Sequence, residues 1–416
     1  MNTMEVIDIC DINNTIMQSL NQTTLHSKLN LLVISPILKI RSSYSRVAKY
    51  SLDILKQCSA LHVDNYEISQ NNLENVPQSL KNYDIVFFII PPYFITNILD
   101  LCKNIPRKFE TWFYFKPIMN AVNNILIDWL NREASVIFVP TESLKIGLKQ
   151  RINRPVELLD FSVSGALFYP INKYSARKMM QIPSEKRLWL APAENTKISR
   201  IDILIQAYVE YLGKLPDATN ELLLCLGNFQ NLSGFQLQDI YNIELQEQGY
   251  DLEKYAKNFL VLDSQAHLNG LSEHIINCFY NAADAVIFTN SYSNHSFTPI
   301  EILATNKKTL FLPRHSWFID AFKNANNCDI IWCNPILKLY RASNEDVGTE
   351  FMIHPSELAQ KMKEYVDSAA GASNVVDSQE DQNMTNASSL TVEPEDDKGY
   401  KKIFNKYIQI ASLSRE

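Results

Sequence analysis

The sequence predicts an α/β protein made of two successive domains, each a parallel sheet flanked by crossover helices. Three observations carry this. At 416 residues the chain exceeds what one core ordinarily organises, and domains of about 150–200 residues each are the usual outcome. Short apolar runs alternate with helix-like segments, the pattern of parallel strands joined by helices. Hydrophobic residues make up 46% and charged ones 20%, which supplies enough apolar surface for two cores.

In the first half, "LNLLVISPI" (29–37) reads as a strand and "SRVAKYSLDILKQC" (45–58) as a helix. "YDIVFFIIPP" (83–92) is apolar on both faces, as a central parallel strand must be, and two prolines end it. "ASVIFVPTESLKIGLKQ" (134–150) gives a strand, a turn at Pro140 and a helix capped by Thr141. The second series follows "VELLDFSVSGALFYP" (156–170). Strands are expected in "RLWLAPAEN" (187–195), "NELLLCLGNF" (220–229), "NFLVLD" (258–263), "DAVIFTN" (284–290) and "KTLFLPR" (308–314), with an amphipathic helix in "RIDILIQAYVEYL" (200–212). Residues 368–399 are rich in Ser, Asn, Asp and Glu and too poor in large apolar residues to offset their ordering entropy, so a mobile loop is expected there. "YKKIFNKYIQIASL" (400–413) recovers helical periodicity and needs a surface to pack on, which points to a helix returning to the first domain. The expected division is therefore 1–170, 171–367, a loop at 368–399 and a helix at 400–416.

Composition removes several function classes. A net charge of −7 argues against a nucleic-acid partner, which needs clustered Lys and Arg. Ten glycines in the whole chain leave no G-x-x-x-x-G-K and no G-x-G-x-x-G, so a bound phosphate would be held by helix ends and side chains. Seven cysteines form no C-x-x-C pair, and His267 and His315 are too scattered for a metal site. No basic-then-apolar leader opens the chain and no run approaches the roughly 20 apolar residues of a span. A cytoplasmic location, with no metal and no cofactor, is the expectation.

The stretch "SNHSFTPIEIL" (293–303) directly follows an apolar strand. Taken alone it begins a helix: Thr298 at the N-cap, Pro299 at the first helical position and Glu301 three residues on satisfy the capping-box spacing. A helix opening at the C-terminal edge of a parallel strand also presents free N–H groups where anionic ligands bind in open α/β sheets.

Here the sequence resembles the retaining glycosyltransferases of the two-domain GT-B fold, the glycogen-synthase and sucrose-synthase-like group. That family carries a Glu, seven residues and a second Glu, often ending "L-T-P-x-E". The pattern places Phe297 to Glu301 on its second half and Ser293 on its first glutamate. "YNAADAVIFTN" (280–290), "ARKMMQIPSEKRLWLAPAENTKISRIDILIQAYVEYL" (176–212) and "VELLDFSVSGALFYP" resemble the family's approach to the motif, its entry into the donor domain and its interdomain segment, in the family's order. The resemblance covers about residues 135–320.

It implies a nucleotide-sugar donor, an unidentified acceptor (a glycan, a lipid-linked or a small molecule) bound by the first domain, and transfer with retention. Glu301 would accept hydrogen bonds from ribose hydroxyls, and backbone N–H groups near Thr298 and Pro299 would face the diphosphate. Arg200 and Lys197, with Asn195 in the same loop, would hold the leaving diphosphate, and Ser293 and His295 would border the transferred sugar. In the two-domain GT-B fold that the resemblance implies, two Rossmann-like domains face a cleft, and from the first domain Lys39, Arg41 and Arg46 would supply positive charge across it, with Tyr44 beside them. Trp112, Tyr114 and Lys116 are a candidate acceptor surface, although such an aromatic cluster is more often core. The sequence departs from the family at Ser293, at Glu194 in place of an arginine and at Ser199 in place of a lysine. Those departures motivate a second reading, a protein of this shape without transfer activity that serves as a binding or partner subunit. No catalytic residue is assigned.

Overall fold

A computed structural model describes residues 28–38, 43–69, 72–76, 80–91, 94, 97–98, 109–117, 121–122, 124–159, 167–193, 195–226, 234–262, 271–291, 296–305, 309–322, 328–342, 346–372 and 397–413. Two six-stranded parallel sheets form its frame. The first uses β1 (Leu29–Pro36), β2 (Leu61–Ile68), β3 (Ile85–Phe88), β4 (Glu110–Tyr114), β6 (Val136–Val139) and β7 (Val156–Leu158) in the order β2-β1-β3-β4-β6-β7. The second uses β8 (Arg187–Ala191), β9 (Glu221–Cys225), β10 (Phe259–Val261), β11 (Ala285–Ile287), β12 (Thr309–Pro313) and β13 (Asp329–Cys333) in the order β10-β9-β8-β11-β12-β13. This is the two-domain α/β architecture that the sequence predicts.

All four residues of β3 and of β6 are buried, because helices cover both faces of a parallel sheet. The helices are α1 (Ser43–Leu55), α2 (Asn124–Glu133), α3 (Glu142–Lys149), α4 (Lys173–Met179), α5 (Ile201–Gly213), α6 (Leu237–Glu247), α7 (Leu252–Tyr255), α8 (Glu273–Ala282), α9 (Phe297–Ala304), α10 (Ser316–Phe322), α11 (Pro355–Ala372) and α12 (Asp397–Leu413). Thr141 caps α3 as expected, its side chain accepting from the Leu144 amide at 3.3 Å. Helix α5 is apolar nearly all round because it lies between its sheet and α11.

The segment read as a loop at 368–399 divides differently: residues 368–372 end α11 and 397–399 begin α12, with the remainder outside the described residues. Helix α12 does return to the first domain. Phe404 stacks on Trp112 with ring centroids 6.2 Å apart and meets Phe87 and Phe138 at 6.1 and 5.6 Å. The Tyr407 hydroxyl donates to Glu157 at 2.7 Å. Trp112 and Tyr114, read as part of an acceptor surface, are each 1% exposed and belong to this core.

A hairpin absent from the sequence expectations joins the two halves. Strands β14 (Pro335–Ala342) and β15 (Asp346–Ile353) pair antiparallel, and β15 then pairs with β5 (Ala121–Val122) of the first half, Asp346 against Val122 and Val347 against Ala121. The chain between β7 and β8 is fastened to α8 by two asparagines acting as backbone mimics. Asn277 accepts from the Tyr169 amide at 3.3 Å, and Asn281 accepts from the Ile171 amide at 2.8 Å and donates to the Tyr169 carbonyl at 3.1 Å. No helix among the described residues is long and apolar enough to cross a membrane.

Candidate functional site

The strand order of the second sheet reverses between β8 and β11, so the loops leaving their C-terminal ends border the switch point where open α/β sheets take ligands. Those loops are tied together. The Ser291 amide donates to the Ile198 carbonyl at 2.8 Å, and the Thr289 hydroxyl donates to the Ser199 carbonyl at 2.8 Å. The hairpin lies against them, with the Phe351 amide donating to the Ser291 carbonyl at 2.8 Å and the Phe351 ring stacked on His315.

Helix α9 opens two residues earlier than the capping-box reading requires, with Ser296 at the N-cap and Phe297 first. Thr298 and Pro299 are therefore the second and third helical residues, the one half-buried and the other buried, and Glu301 is the fifth. From there its carboxylate does not serve the cap and faces the other domain. Glu301 is 1% exposed; Oε2 accepts from the Tyr280 hydroxyl at 2.9 Å, and Oε1 accepts from Arg46 of α1. The Arg46 guanidinium also stands over the Phe297 ring, 5.4 Å from its centre, and Phe297 meets Tyr50 of α1 at 6.2 Å. Among the contacts between the two domains is thus a buried carboxylate that accepts from a phenol on its own side and a guanidinium on the opposite wall. A carboxylate so buried is retained only where its charge is paired.

The remaining candidates divide. Arg200 sits at the N-cap of α5 in the left-handed region (φ 51°, ψ 42°), a conformation that costs a non-glycine residue about 1 kcal/mol or more. Its fork is engaged by Asp202 at 3.0 and 2.6 Å, with Met352 of the hairpin 3.6 Å away. Asn195 is 1% exposed and clamps the backbone of Phe235, donating at 2.7 Å and accepting at 2.9 Å. Any side chain at position 234 would collide with Asn195, which is why one of the chain's few glycines stands there. Lys197 is exposed in the same loop. Tyr44 donates to the Lys116 carbonyl at 2.7 Å and packs edge-on to Tyr114, so it sits in the first domain's wall beside Arg46. Ser293, His295, Lys39, Arg41 and Glu194 lie outside the described residues.

Tyr280, Asp202 and the hairpin had no assigned role in the sequence. Tyr280 precedes Glu301 by 21 residues, so no local spacing signals the pair. The hairpin had a signal, the alternating "PILKLYRA" and the turn-forming "SNED", which its position beyond the last parallel strands obscured. His315 is buried with Nε2 unpartnered, and burial holds its pKa down at about 4. Among the described residues no group of three or more His, Cys, Asp or Glu is placed to hold a metal ion.

No protein-family model matches the chain, and no curated protein matches it. Solved structures do. Anabaena HepE in complex with UDP and glucose matches with a TM-score of 0.55 at 12% identity, over 82% of this chain and 91% of that one. Sucrose-phosphate synthase from Thermosynechococcus elongatus matches with a TM-score of 0.59 at 12% identity, over 82% and 91%. The α,α-trehalose 6-phosphate synthase of Burkholderia multivorans matches with a TM-score of 0.60 at 9% identity, over 94% and 100%. The chain therefore has the fold of the GT-B glycosyltransferases, and identities this low establish the fold alone.

Proposed function

We propose that this protein is a glycosyltransferase that moves a sugar from a nucleoside-diphosphate donor, with retention at the anomeric carbon, to an acceptor held by the first domain. The observation that carries the reading is Glu301: a carboxylate beside the switch point, on the first turns of a helix, facing an arginine from the opposite domain. A carboxylate there offers two acceptor oxygens to a ribose diol, and Arg46 and Lys197 stand as cations for the diphosphate. In such a reaction charge stabilisation of the leaving group and positioning are the protein's main contributions. The reading is supported by the fold shared with structures solved with UDP and glucose, and by the order of motifs from residue 176 to Glu301. It requires no metal or other cofactor and places the enzyme in the cytoplasm.

The test is calorimetric titration of UDP and common nucleotide sugars into wild type and Glu301→Gln. Wild type is expected to bind, and the variant to bind about 10- to 100-fold more weakly, since a charge-assisted hydrogen bond contributes roughly 1.5–3 kcal/mol. A folded wild type that binds none of these ligands removes the reading.

A second reading has its own observation. Arg200 is spent on Asp202, Asn195 on the Phe235 backbone, and the switch-point loops on each other and on the hairpin. This favours a GT-B-shaped binding or partner subunit without transfer activity. A thermal shift of several degrees with UDP counts against it, because a ligand that binds only the native state stabilises it.

A further inference from the structure

His315 stands just past the end of β12, and its ring touches two phenyl rings that meet the turn 289–291 at its two ends. Phe318 lies 4.7 Å away and meets Phe288, the residue before the turn, at 5.8 Å. Phe351 stacks at 6.3 Å, and its amide donates to the Ser291 carbonyl at 2.8 Å. Between these contacts the chain has left its sheet. The Phe288 amide still bonds to the Phe311 carbonyl at 3.0 Å, but the Asn290 carbonyl lies beyond the ladder and needs another donor. A hydrogen bond with the Asn290 backbone favours the proton on the His315 ring, so the ring donates and that carbonyl accepts. Nε2 has no partner among the described residues, which makes Nδ1 the donor. A buried nitrogen left unpaired costs stability that phenylalanine at this position would not. What the imidazole offers in exchange is the bond from Nδ1.

The turn seated in this way holds a second loop. Thr289 Oγ1 donates to the Ser199 carbonyl at 2.8 Å, and Ser291 donates to the Ile198 carbonyl from its amide at 2.8 Å and from its hydroxyl at 3.2 Å. Thr289, Ser291 and Ser199 are all buried. The loop also closes on itself, with the Ser199 amide donating to the Thr196 carbonyl at 3.1 Å. That bond sets the loop's shape, whereas the three from the turn set its place at the switch point. Lys197 belongs to this loop, and Arg200 at its end keeps a left-handed backbone that persists only where the surroundings dictate it. We propose that His315 is a positioning residue for the donor: through Asn290 it seats the turn 289–291, and through that turn it places the loop 196–200 so that Lys197 meets the diphosphate. The proposal rests on the donor reading given above, while the link from ring to turn to loop is measurable without a ligand.

The experiment compares the full chain of wild type, His315→Phe and His315→Asn by amide hydrogen exchange and by calorimetric titration of UDP near neutral pH. Phenylalanine keeps the ring volume and loses the donor, whereas asparagine loses volume but keeps an N–H near the place of Nδ1. Packing alone ranks asparagine the worse substitution; positioning ranks phenylalanine the worse. The Leu226 amide, bonded to the Ala191 carbonyl at 2.9 Å beside β8, corrects the exchange rates for any change in overall stability. With phenylalanine, Ser291 amide exchange is expected to rise about 5- to 10-fold and UDP affinity to fall about 5- to 10-fold, the scale of one lost hydrogen bond. Asparagine is expected to stay within about 3-fold of wild type on both. Should His315→Phe not fold, His315→Gln takes its part, since its amide reaches the place of Nε2 rather than Nδ1. Equal Ser291 exchange in wild type and His315→Phe overturns the proposal whatever UDP does, as does an order in which asparagine is the worse. The expected exchange order with equal UDP affinity overturns the role at the diphosphate alone. A wild type that binds no UDP removes the donor reading and that role with it, and the exchange order then still decides whether His315 seats the loop.

Discussion

Phe404→Ala tests whether α12 is an integral part of the first domain. The ring is 1% exposed and lies among Trp112, Phe87 and Phe138, with centroids 5.6–6.2 Å away. Truncating a fully buried phenylalanine costs about 3–5 kcal/mol, part of it the cavity left where neighbours cannot collapse. The three aromatic pairs add to the loss at roughly 0.5–1.5 kcal/mol each where they are not already counted in that range. For a domain of this size 1 kcal/mol displaces the melting temperature by about 2–4 °C, so a fall of roughly 6–20 °C is expected. Scanning calorimetry is the appropriate assay, since two domains need not melt together. The shift should fall on the transition of the first domain, which holds Trp112 and β4. A change smaller than about 1 kcal/mol would mean that α12 merely rests on the surface, and the reasoning would fail.

His315 makes stability depend on pH. Its folded-state pKa is depressed to about 4 against 6.5 in the unfolded chain, so the unfolded state takes up the proton first as pH falls. Stability is therefore lost progressively between pH 6.5 and 4, by about 3 kcal/mol in total; His315→Phe should flatten the urea-midpoint profile over that window, and an unaltered profile refutes the assignment. Asp284 is held below the ordinary carboxylate range: burial pushes it up, but Lys173, the Leu188 amide and Arg177 outweigh that. Asp284→Asn strands Arg177, which is 6% exposed, and should cost about 3–5 kcal/mol at neutral pH. That cost should shrink as pH drops through the depressed pKa, where wild type loses the same contribution; a constant difference between the two proteins down to pH 3 would contradict it. Asn195→Ala should cost about 1–3 kcal/mol by removing both bonds to Phe235, and the Phe235 amide should exchange faster with solvent. An unchanged exchange rate would show that the clamp does not hold the loop.

The sheets were readable because their strands are buried on both faces: "IVFF" and "VIFV" can be little else in a chain of this length. The returning helix was readable too, from the periodic apolar face that Phe404, Tyr407, Ile408 and Ala411 bury. What failed was geometry fixed by distant partners. Glu301 has the spacing of a capping residue, yet its oxygens go to Tyr280 and to Arg46, 255 positions earlier. Arg200 reads as a free cation in a loop, but Asp202 two residues later takes its fork. Trp112 and Tyr114 read as a candidate binding surface or, more often for such a cluster, as core, and the closing of α12 over β4 at Trp112 makes them core.

The place of α12 also sets a timetable. The cavity it fills in the first domain is lined by Phe87, Trp112 and Phe138, all made long before residue 397 leaves the ribosome. At about 5–20 residues per second, an aromatic hollow stays open for some tens of seconds while the second domain is being synthesised. During that interval the nascent first domain is a sticky, incomplete object, and the last turns of helix act as its stopper.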